Sequence, residues 1–328
     1  MSDSIKKIGI FTSGGDAPGM NAALRAVVRS ATYYNKEILG IMRGYEGMIE
    51  GDFVELSARS VGNIIQRGGT ILKSARSENF RSPEGRKKAY QQLQDKGIDS
   101  LIAIGGDGTF TGLHKFYDEY KIPSICIPGT IDNDIPGTDF TIGFDTATNT
   151  AVEAIDRIRD TALSHNRLFF IEVMGRHSGY IALNAGVAGG AVGIVIPEEH
   201  TTMEDLFNKL DEGGKTDKKS SLIVVAEGSK LGGALEIANR FAQRNNYFDI
   251  KVTILGHLQR GGPPSYFDRV LASKMGLGAV EGLLKGKNDC MVGIRNNVIV
   301  YNSFNDIMTG APHEIDPELL RISRILSI

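Results

Sequence analysis

Two carboxylates, Asp132 and Asp134, directly follow an apolar run in the segment IPGTIDND, residues 127–134. A carboxylate within hydrogen-bond reach of a hydroxyl group can accept its proton. Asp132 is therefore a candidate general base, and Thr130 is a candidate donor to a transferred phosphoryl group. The alternative is a polar turn in which both aspartates cap the next element.

Two glycine-rich segments also follow apolar runs. In TSGGDAPGMN, residues 12–21, paired glycines would let backbone N–H groups face an anion at a helix N-terminus. In GGDGT, residues 105–109, Asp107 stands among three glycines. Mg²⁺ is typically bound by one or two carboxylates plus substrate phosphates, so Asp107 is a candidate Mg²⁺ ligand. Tight turns are the alternative for both segments.

Four arginines lie at or beside the ends of predicted strands: Arg76, Arg167, Arg176 and Arg260. The guanidinium group suits phosphate because it donates paired hydrogen bonds. Any one of these arginines is more often an ordinary surface residue than a phosphate ligand. Four in these positions, in a chain of net charge −2, favour an anionic substrate.

Short apolar runs alternate with longer helical patterns along the chain. The runs are continuous rather than alternating, which is typical of parallel strands buried on both faces. The predicted fold class is α/β, with two doubly wound, mostly parallel sheets and Rossmann-like layering. A boundary is expected near residue 142. Ligands bind at the carboxyl ends of such strands, so the polar segments above are expected to share one cleft.

The bulk composition excludes several classes of protein. The net charge of −2 and hydrophobic content of 41% argue against a nucleic-acid partner and for a globular core. No apolar signal core and no membrane-length apolar stretch occur, so we expect a cytoplasmic protein without a membrane partner. Two cysteines are too few for a disulfide framework. Cys126 lies in an apolar run and is expected in the core.

The motifs TSGGDAPGMNA, GGDGT, PGTIDND, TIGFDTA, EAIDRIRD, EVMGR and LGHLQRGG occur in an order that resembles the bacterial-type ATP-dependent 6-phosphofructokinases. The resemblance covers roughly residues 5–290. It implies transfer of the γ-phosphoryl group of ATP to the 1-hydroxyl of fructose 6-phosphate, giving fructose 1,6-bisphosphate and ADP in the committed step of glycolysis. It also implies Mg²⁺ as cofactor and a homotetramer whose active sites are shared between subunits.

The resemblance implies roles for individual residues and regions. The implied catalytic residues are Asp132, Arg76, Thr130 and Arg176. The implied ATP-binding residues are Gly15, Tyr45, Arg76, Ser77, Gly106, Asp107, Gly108 and Thr109, with Asp107 binding the metal. The implied substrate-binding residues are Thr130, Ile131, Asp132, Arg167, Met174, Gly175, Arg176, Glu227, Lys251, His257 and Arg260. The implied effector-binding residues are Arg25, Arg29, Arg159, Lys218 and Lys219. The implied ATP domain is 1–142 and 257–308, and the sugar-phosphate domain is 143–256 and 309–328.

Three positions depart from the family pattern. Lys251 stands where an arginine usually grips the 6-phosphate, so we expect weaker binding of the sugar phosphate. Ala58 and Val192 stand where an arginine and a glutamate usually line the effector site. We therefore expect activation by ADP and inhibition by phosphoenolpyruvate to be weak or absent.

Alternatives remain for the identity of the phosphoryl donor and for the type of protein. Pyrophosphate-using relatives usually carry Asp and Lys at the positions of Gly108 and Gly129, where glycines are expected to leave space for ATP. A pyrophosphate-dependent enzyme is the minor alternative. NAD kinases and lipid kinases share only GGDGT and require a β-rich C-terminal half. A non-catalytic sugar-phosphate sensor has no use for the base Asp132.

Overall fold

The computed structural model describes residues 5–163, 167–214, 221–244, 248–311 and 313–326. The chain forms two compact units. The first unit contains Met1–Thr130, Ile135–Asp145 and Arg260–His313, and the second contains Ile131–Asp134, Thr146–Gln259 and Glu314–Ile328. The borders expected from sequence lay at 142, 256 and 308. The assignment of ATP to one unit and of sugar phosphate to the other remains a prediction.

Strands and helices alternate along the described chain. The strands are β1 Lys7–Thr12, β2 Glu37–Ile41, β3 Phe53–Glu55, β4 Ser100–Gly105, β5 Ser124–Thr130, β6 Ile142–Gly143, β7 Arg167–Val173, β8 Gly193–Val195, β9 Ser221–Ala226, β10 Asp249–Ile254, β11 Cys290–Arg295 and β12 Val298–Ser303. The helices are α1 Met20–Tyr33, α2 Gly44–Glu50, α3 Pro83–Asp95, α4 Asp107–Tyr120, α5 Phe144–Leu163, α6 Tyr180–Ala188, α7 Met203–Gly214, α8 Ala234–Ala242, α9 Tyr266–Leu284, α10 Phe304–Thr309 and α11 Pro317–Leu326. Within the described ranges, no helix has both the length and the apolar character needed to cross a bilayer.

Each unit is built on one mostly parallel sheet. The sheet of the first unit has the order β12-β11-β5-β4-β1-β2-β3, with β6 paired to β5. Only the pairs β11–β12 and β2–β3 are antiparallel there, among the described strands. The sheet of the second unit has the order β10-β7-β9-β8 and is parallel. These topologies confirm the predicted fold class of two doubly wound sheets.

The central strands are buried along their whole length, as their continuous apolar sequences predict. Every residue of β4 and of β9 is buried. Helices cover such strands on both faces in α/β folds. Cys126, in β5, is fully buried in the core of the first unit, which confirms its predicted place. Burial raises the pKa of its thiol well above the ordinary value, so it is a poor nucleophile.

Local signals set the helix boundaries. The Ser82 hydroxyl caps α3 by accepting a hydrogen bond of 3.0 Å from the backbone N–H of Gly85. Pro83 follows at the first helical position, where its missing N–H costs nothing. Gly97, with a φ of 66°, ends the segment in the left-handed region. The cap and the proline set the start of α3, and the glycine sets its end.

One fully buried cation ties α3 to the 76–81 segment. The side chain of Arg86 is only 2% exposed and forms two hydrogen bonds, of 2.7 and 2.6 Å, to the carboxylate of Glu119 in α4. Its Nη1 donates to the carbonyl oxygens of Phe80 and Arg81 at 3.0 and 2.7 Å. Arg86 therefore holds the end of the 76–81 segment against two helices.

We expect Arg86→Met to lower the free energy of unfolding by about 3 kcal/mol, because it leaves two carbonyls and a carboxylate without their donor. Chemical denaturation measures the change. The control is Arg81→Met, which removes an exposed ion pair with Glu78 and should cost less than about 0.5 kcal/mol. Equal losses in the two variants would contradict this role.

Candidate active site

The register of the first sheet brings three polar segments to one edge. Thr12 of β1 pairs with Ile104 of β4, and Gly105 of β4 pairs with Pro128 of β5. The segments after these strands therefore leave the sheet side by side at its carboxyl end. This is the edge at which ligands bind in open α/β sheets.

The β1–α1 segment brings a predicted ATP residue and a predicted sugar residue together. Arg260 donates through Nη1 to the carbonyl oxygen of Asp16 at 3.1 Å. A Cβ at Gly15 would lie 2.8 Å from the same Nη1 atom. Gly15 therefore lets the guanidinium group lie directly on the backbone. Gly14, with a φ of 83°, makes the turn that permits this.

Asp107 opens helix α4 and is exposed. The positive end of a helix dipole stabilises a carboxylate there and also attracts phosphate. A Cβ at Gly108 would meet nothing within 4 Å, and one at Gly106 would approach only Thr130, at 3.9 Å. The packing of the protein does not require these two glycines, so the space beside Asp107 is available to a ligand. An exposed carboxylate beside open space fits a Mg²⁺ ion held jointly with phosphate oxygens.

Two other glycines at this edge lie close to other atoms of the protein. A Cβ at Gly105 would lie 2.3 Å from the Thr109 hydroxyl oxygen. A Cβ at Gly129 would lie 3.0 Å from Ile104 and 3.2 Å from Met20. The expectation that Gly129 leaves space for ATP remains a prediction. A side chain at Gly129 would face neighbouring side chains of the protein, so the open space at Gly108 carries the argument about the phosphoryl donor.

Tyr45 contributes to the site from inside the core. Its ring is buried and stacks on Phe80 with a centroid distance of 4.0 Å. Its hydroxyl donates to the carbonyl oxygen of Thr109 at 2.6 Å, and burial raises its pKa well above the ordinary value. The side chain therefore supports the first turn of α4, and its ring does not face solvent.

The segment with Arg76 and Ser77 is anchored by a residue that sequence reasoning missed. Glu46 of α2 accepts hydrogen bonds from the Ser77 hydroxyl and, at 2.9 Å, from the Asn79 amide. These bonds lower the pKa of Glu46. The Ser77 oxygen also accepts from the N–H of Phe80 at 3.1 Å. The hydroxyl of Ser77 thus holds its own loop, while Arg76 is exposed.

The second unit builds a loop from the predicted sugar residues Met174, Gly175 and Arg176, which follow β7. The Glu227 carboxylate, after the neighbouring strand β9, accepts from the N–H groups of Gly175 and Arg176 at 3.3 and 2.7 Å. A Cβ at Gly228 would lie 1.8 Å from the Arg176 carbonyl oxygen. Arg176 has a φ of 54°, which is uncommon for a residue other than glycine. The loop is tightly fixed.

Asp132 is held beside this loop. Its backbone carbonyl accepts a hydrogen bond of 2.8 Å from the Ser178 hydroxyl. The side chains of Ile131 and Asp132 are both buried, with exposures of 0% and 7%. Sequence reasoning missed Ser178, because its hydroxyl acts on a carbonyl 46 positions away in the chain. The candidate base is therefore tied to the loop with the predicted sugar residues.

A second group of predicted substrate residues lies on neighbouring strands. Asp249 of β10 accepts from Arg167 of β7 at 3.3 Å and from Lys251 at 2.7 Å. These contacts lower the pKa of Asp249, with the Lys251 bond as the largest cause. The two predicted phosphate ligands thus share one carboxylate. His257 is exposed in the short 3₁₀ segment Gly256–Arg260.

Comparison with known proteins decides the family. The phosphofructokinase family profile matches residues 7–283. The chain belongs to the phosphofructokinase family. The ATP-dependent 6-phosphofructokinase of Cytophaga hutchinsonii is 55% identical over 323 residues, covering 98% of each chain. The ATP-dependent 6-phosphofructokinase 1 of Thermus thermophilus is 52% identical over 324 residues, covering 99% of this chain and 100% of that protein.

Solved phosphofructokinases share the fold. The Saccharomyces cerevisiae structure matches with a TM-score of 0.88 and 34% identity, covering 98% of this chain and 48% of the yeast chain. A pyrophosphate-dependent phosphofructokinase from Marinobacter aquaeolei matches with a TM-score of 0.85 and 23% identity, covering 99% of this chain and 92% of that chain. At that identity the second likeness shows the fold alone.

The predicted effector residues of this phosphofructokinase are only partly described. Arg25 and Arg29 lie on α1, where burial and the charge of Arg29 lower the pKa of Arg25. Arg159 donates to the carbonyls of Gly189 and Gly190. Val192, at the position of the usual glutamate, packs in the apolar core of the second unit. Lys218 and Lys219 lie outside the described residues.

The buried carboxylate of Asp134 should make the stability of the protein depend on pH. Burial and the charge of Asp132 raise its pKa above 3.8. The folded state then holds its proton more tightly than the unfolded state, so stability is lost as the pH rises through the folded pKa. We expect Asp134→Asn to raise the free energy of unfolding at pH 7, with the gain vanishing below about pH 4.

Asp205 provides a control of opposite sign. Its pKa is lowered, chiefly by the hydrogen bond from the Thr202 hydroxyl. Asp205→Asn should therefore destabilise the protein at pH 7, and the loss should shrink as the pH falls. Thermal unfolding between pH 4 and pH 8 measures both variants. A gain for Asp134→Asn that does not change with pH would contradict the stated cause.

Proposed function

We propose that the protein transfers the γ-phosphoryl group of ATP to the 1-hydroxyl of fructose 6-phosphate, releasing fructose 1,6-bisphosphate and ADP. The observation that carries the proposal is the bond from Ser178 to Asp132. It fixes a buried carboxylate to the loop formed by Met174, Gly175 and Arg176. The curated relatives at 52–55% identity named above are ATP-dependent 6-phosphofructokinases.

In this proposal Asp132 accepts the proton of the 1-hydroxyl as its oxygen attacks the γ-phosphorus. The bond from that phosphorus to the bridging oxygen breaks, and ADP leaves. Phosphoryl transfer depends mainly on positioning and on charge stabilisation. Thr130 donates a hydrogen bond to the transferred group, and Arg76 and Arg176 neutralise its developing charge. Asp132 is only 7% exposed, which keeps most water from the base.

ATP would lie at the carboxyl edge of the first sheet, against the β1–α1 segment and the start of α4. Asp107 would hold Mg²⁺ together with phosphate oxygens of the nucleotide. Bound Mg²⁺ supplies positive charge that neutralises the phosphates during transfer. Open space at Gly108 favours ATP over pyrophosphate as donor, because an aspartate side chain there would fill the space beside Asp107.

The sugar phosphate would lie at the carboxyl edge of the second sheet. Glu227 and His257 would bind its hydroxyl and phosphate groups there; Arg260, the other predicted ligand, belongs to the first unit. Arg167 and Lys251 would bind the 6-phosphate held by a neighbouring subunit, so the enzyme would act as a homotetramer with shared sites. Both cations contact the same carboxylate, Asp249, so they lie close enough together to reach one phosphate group. A glycolytic reaction on soluble substrates fits a cytoplasmic location.

The function is tested with Asp132→Asn, which keeps the backbone carbonyl that Ser178 binds. A coupled assay with fructose 6-phosphate should show kcat lowered about 1,000-fold, with KM for ATP little changed. The wild type should use ATP and not pyrophosphate. Asp205→Asn serves as a control and should keep its kcat. If the kcat of Asp132→Asn is close to that of the wild type, Asp132 is not the general base and the mechanism is wrong.

Lys251→Arg tests the proposed phosphate contact. An arginine can donate two parallel hydrogen bonds where the lysine donates as a point charge. We expect KM for fructose 6-phosphate to fall about threefold, with kcat unchanged within about twofold. Lys230→Arg, an exposed lysine of the same unit, should change neither constant. An unchanged KM in Lys251→Arg would remove Lys251 from the site.

A further inference from the structure

Gln259 is a fully buried polar side chain between two predicted substrate residues. It has 0% exposure and belongs to the 3₁₀ segment Gly256–Arg260, which also carries His257. A buried amide is unfavourable unless hydrogen bonds replace its contacts with water. Gln259 stands in the motif LGHLQRGG, directly before Arg260.

The amide of Gln259 is oriented by one contact. Its Oε1 accepts from the backbone N–H of Met174 at 2.9 Å. Because that N–H can only donate, the oxygen must face it and the nitrogen must point away. In the part of the chain that the structure describes, Nε2 has no hydrogen-bond partner. Among the described residues, the bond from the Met174 N–H therefore holds the buried amide in place.

This contact completes the anchoring of the loop with the predicted sugar residues. Glu227 binds the N–H groups of Gly175 and Arg176, and Gln259 binds the N–H of Met174. Three consecutive backbone donors are thus fixed by two side chains. Glu227 is itself a predicted substrate ligand, whereas the buried amide of Gln259 is closed to solvent.

We propose that Gln259 is a positioning residue for the sugar phosphate, and this inference rests on the proposed function. Its acceptor sets the place of Met174 and Gly175 before the substrate arrives. The same short segment presents His257, so the amide couples two parts of the sugar site. Loss of the acceptor weakens the binding of fructose 6-phosphate and leaves the binding of ATP unchanged.

The test compares Gln259→Met, which keeps the length of the side chain but removes the acceptor, with Gln259→Glu, which keeps it. In Gln259→Met we expect KM for fructose 6-phosphate to rise about tenfold, with KM for ATP unchanged. Exchange of the Met174 amide hydrogen should accelerate about tenfold or more. At pH 6, where burial favours a neutral carboxyl, Gln259→Glu should restore KM to within about threefold of the wild type.

Ile237→Val is the matched control, because it removes one methylene group from the fully buried core of the same unit. It lowers stability without touching the loop and should leave both KM values and the exchange of Met174 unchanged. If Gln259→Met behaves like Ile237→Val in all three measurements, the positioning role is overturned. A rise in KM for ATP equal to that for fructose 6-phosphate would overturn it as well.

Failure of the proposed function gives a different result. In that case the wild type phosphorylates no fructose 6-phosphate, and this sugar phosphate does not raise its unfolding temperature. Accelerated exchange at Met174 in Gln259→Met would then still show that the amide fixes the loop. The role toward the sugar phosphate would be overturned together with the function.

Discussion

The parallel register of neighbouring strands is the constraint on which the rest of the structure depends. It makes β1, β4 and β5 end at one edge, and it does the same for β7 and β9 in the second unit. Segments far apart in sequence therefore begin next to each other. The glycine-rich turn and the start of α4 begin side by side in this way, and so do the loop from Met174 to Arg176 and Glu227. Side chains then refine positions that the hydrogen-bonded ladder has already set.

The sequence suggests candidate ligand-binding residues more readily than it suggests the residues that position them. Continuous apolar runs predicted the parallel strands, and the polar segments after them suggested Asp107, Asp132 and Arg176 as candidate site residues. Glu46, Ser178 and Gln259 escaped prediction for a physical reason. Each acts on a group that lies far from it in the chain, and Ser178 and Gln259 act on backbone groups, whose partners no residue type reveals. Such contacts depend on the packing of whole elements.

Glycines at the same edge serve two different purposes. Gly105 and Gly129 allow the protein to pack against its own backbone, where a side chain would meet Thr109 or Ile104. Gly106 and Gly108 border open space, so their lack of a side chain leaves room beside Asp107. Sequence reasoning treated Gly108 and Gly129 alike because a glycine in a motif carries no sign of what approaches it. Only the surrounding atoms distinguish the two purposes.

The bond from Ser178 separates two properties of Asp132 that are usually linked. A hydrogen bond to a carboxylate both fixes its position and lowers its affinity for protons. Ser178 instead binds the backbone carbonyl, so it holds the backbone that carries the carboxylate, while the surroundings of that carboxylate determine its basicity. Geometry and acid–base strength can then change independently in this protein. A substitution at position 178 alters the first, and one around the carboxylate alters the second.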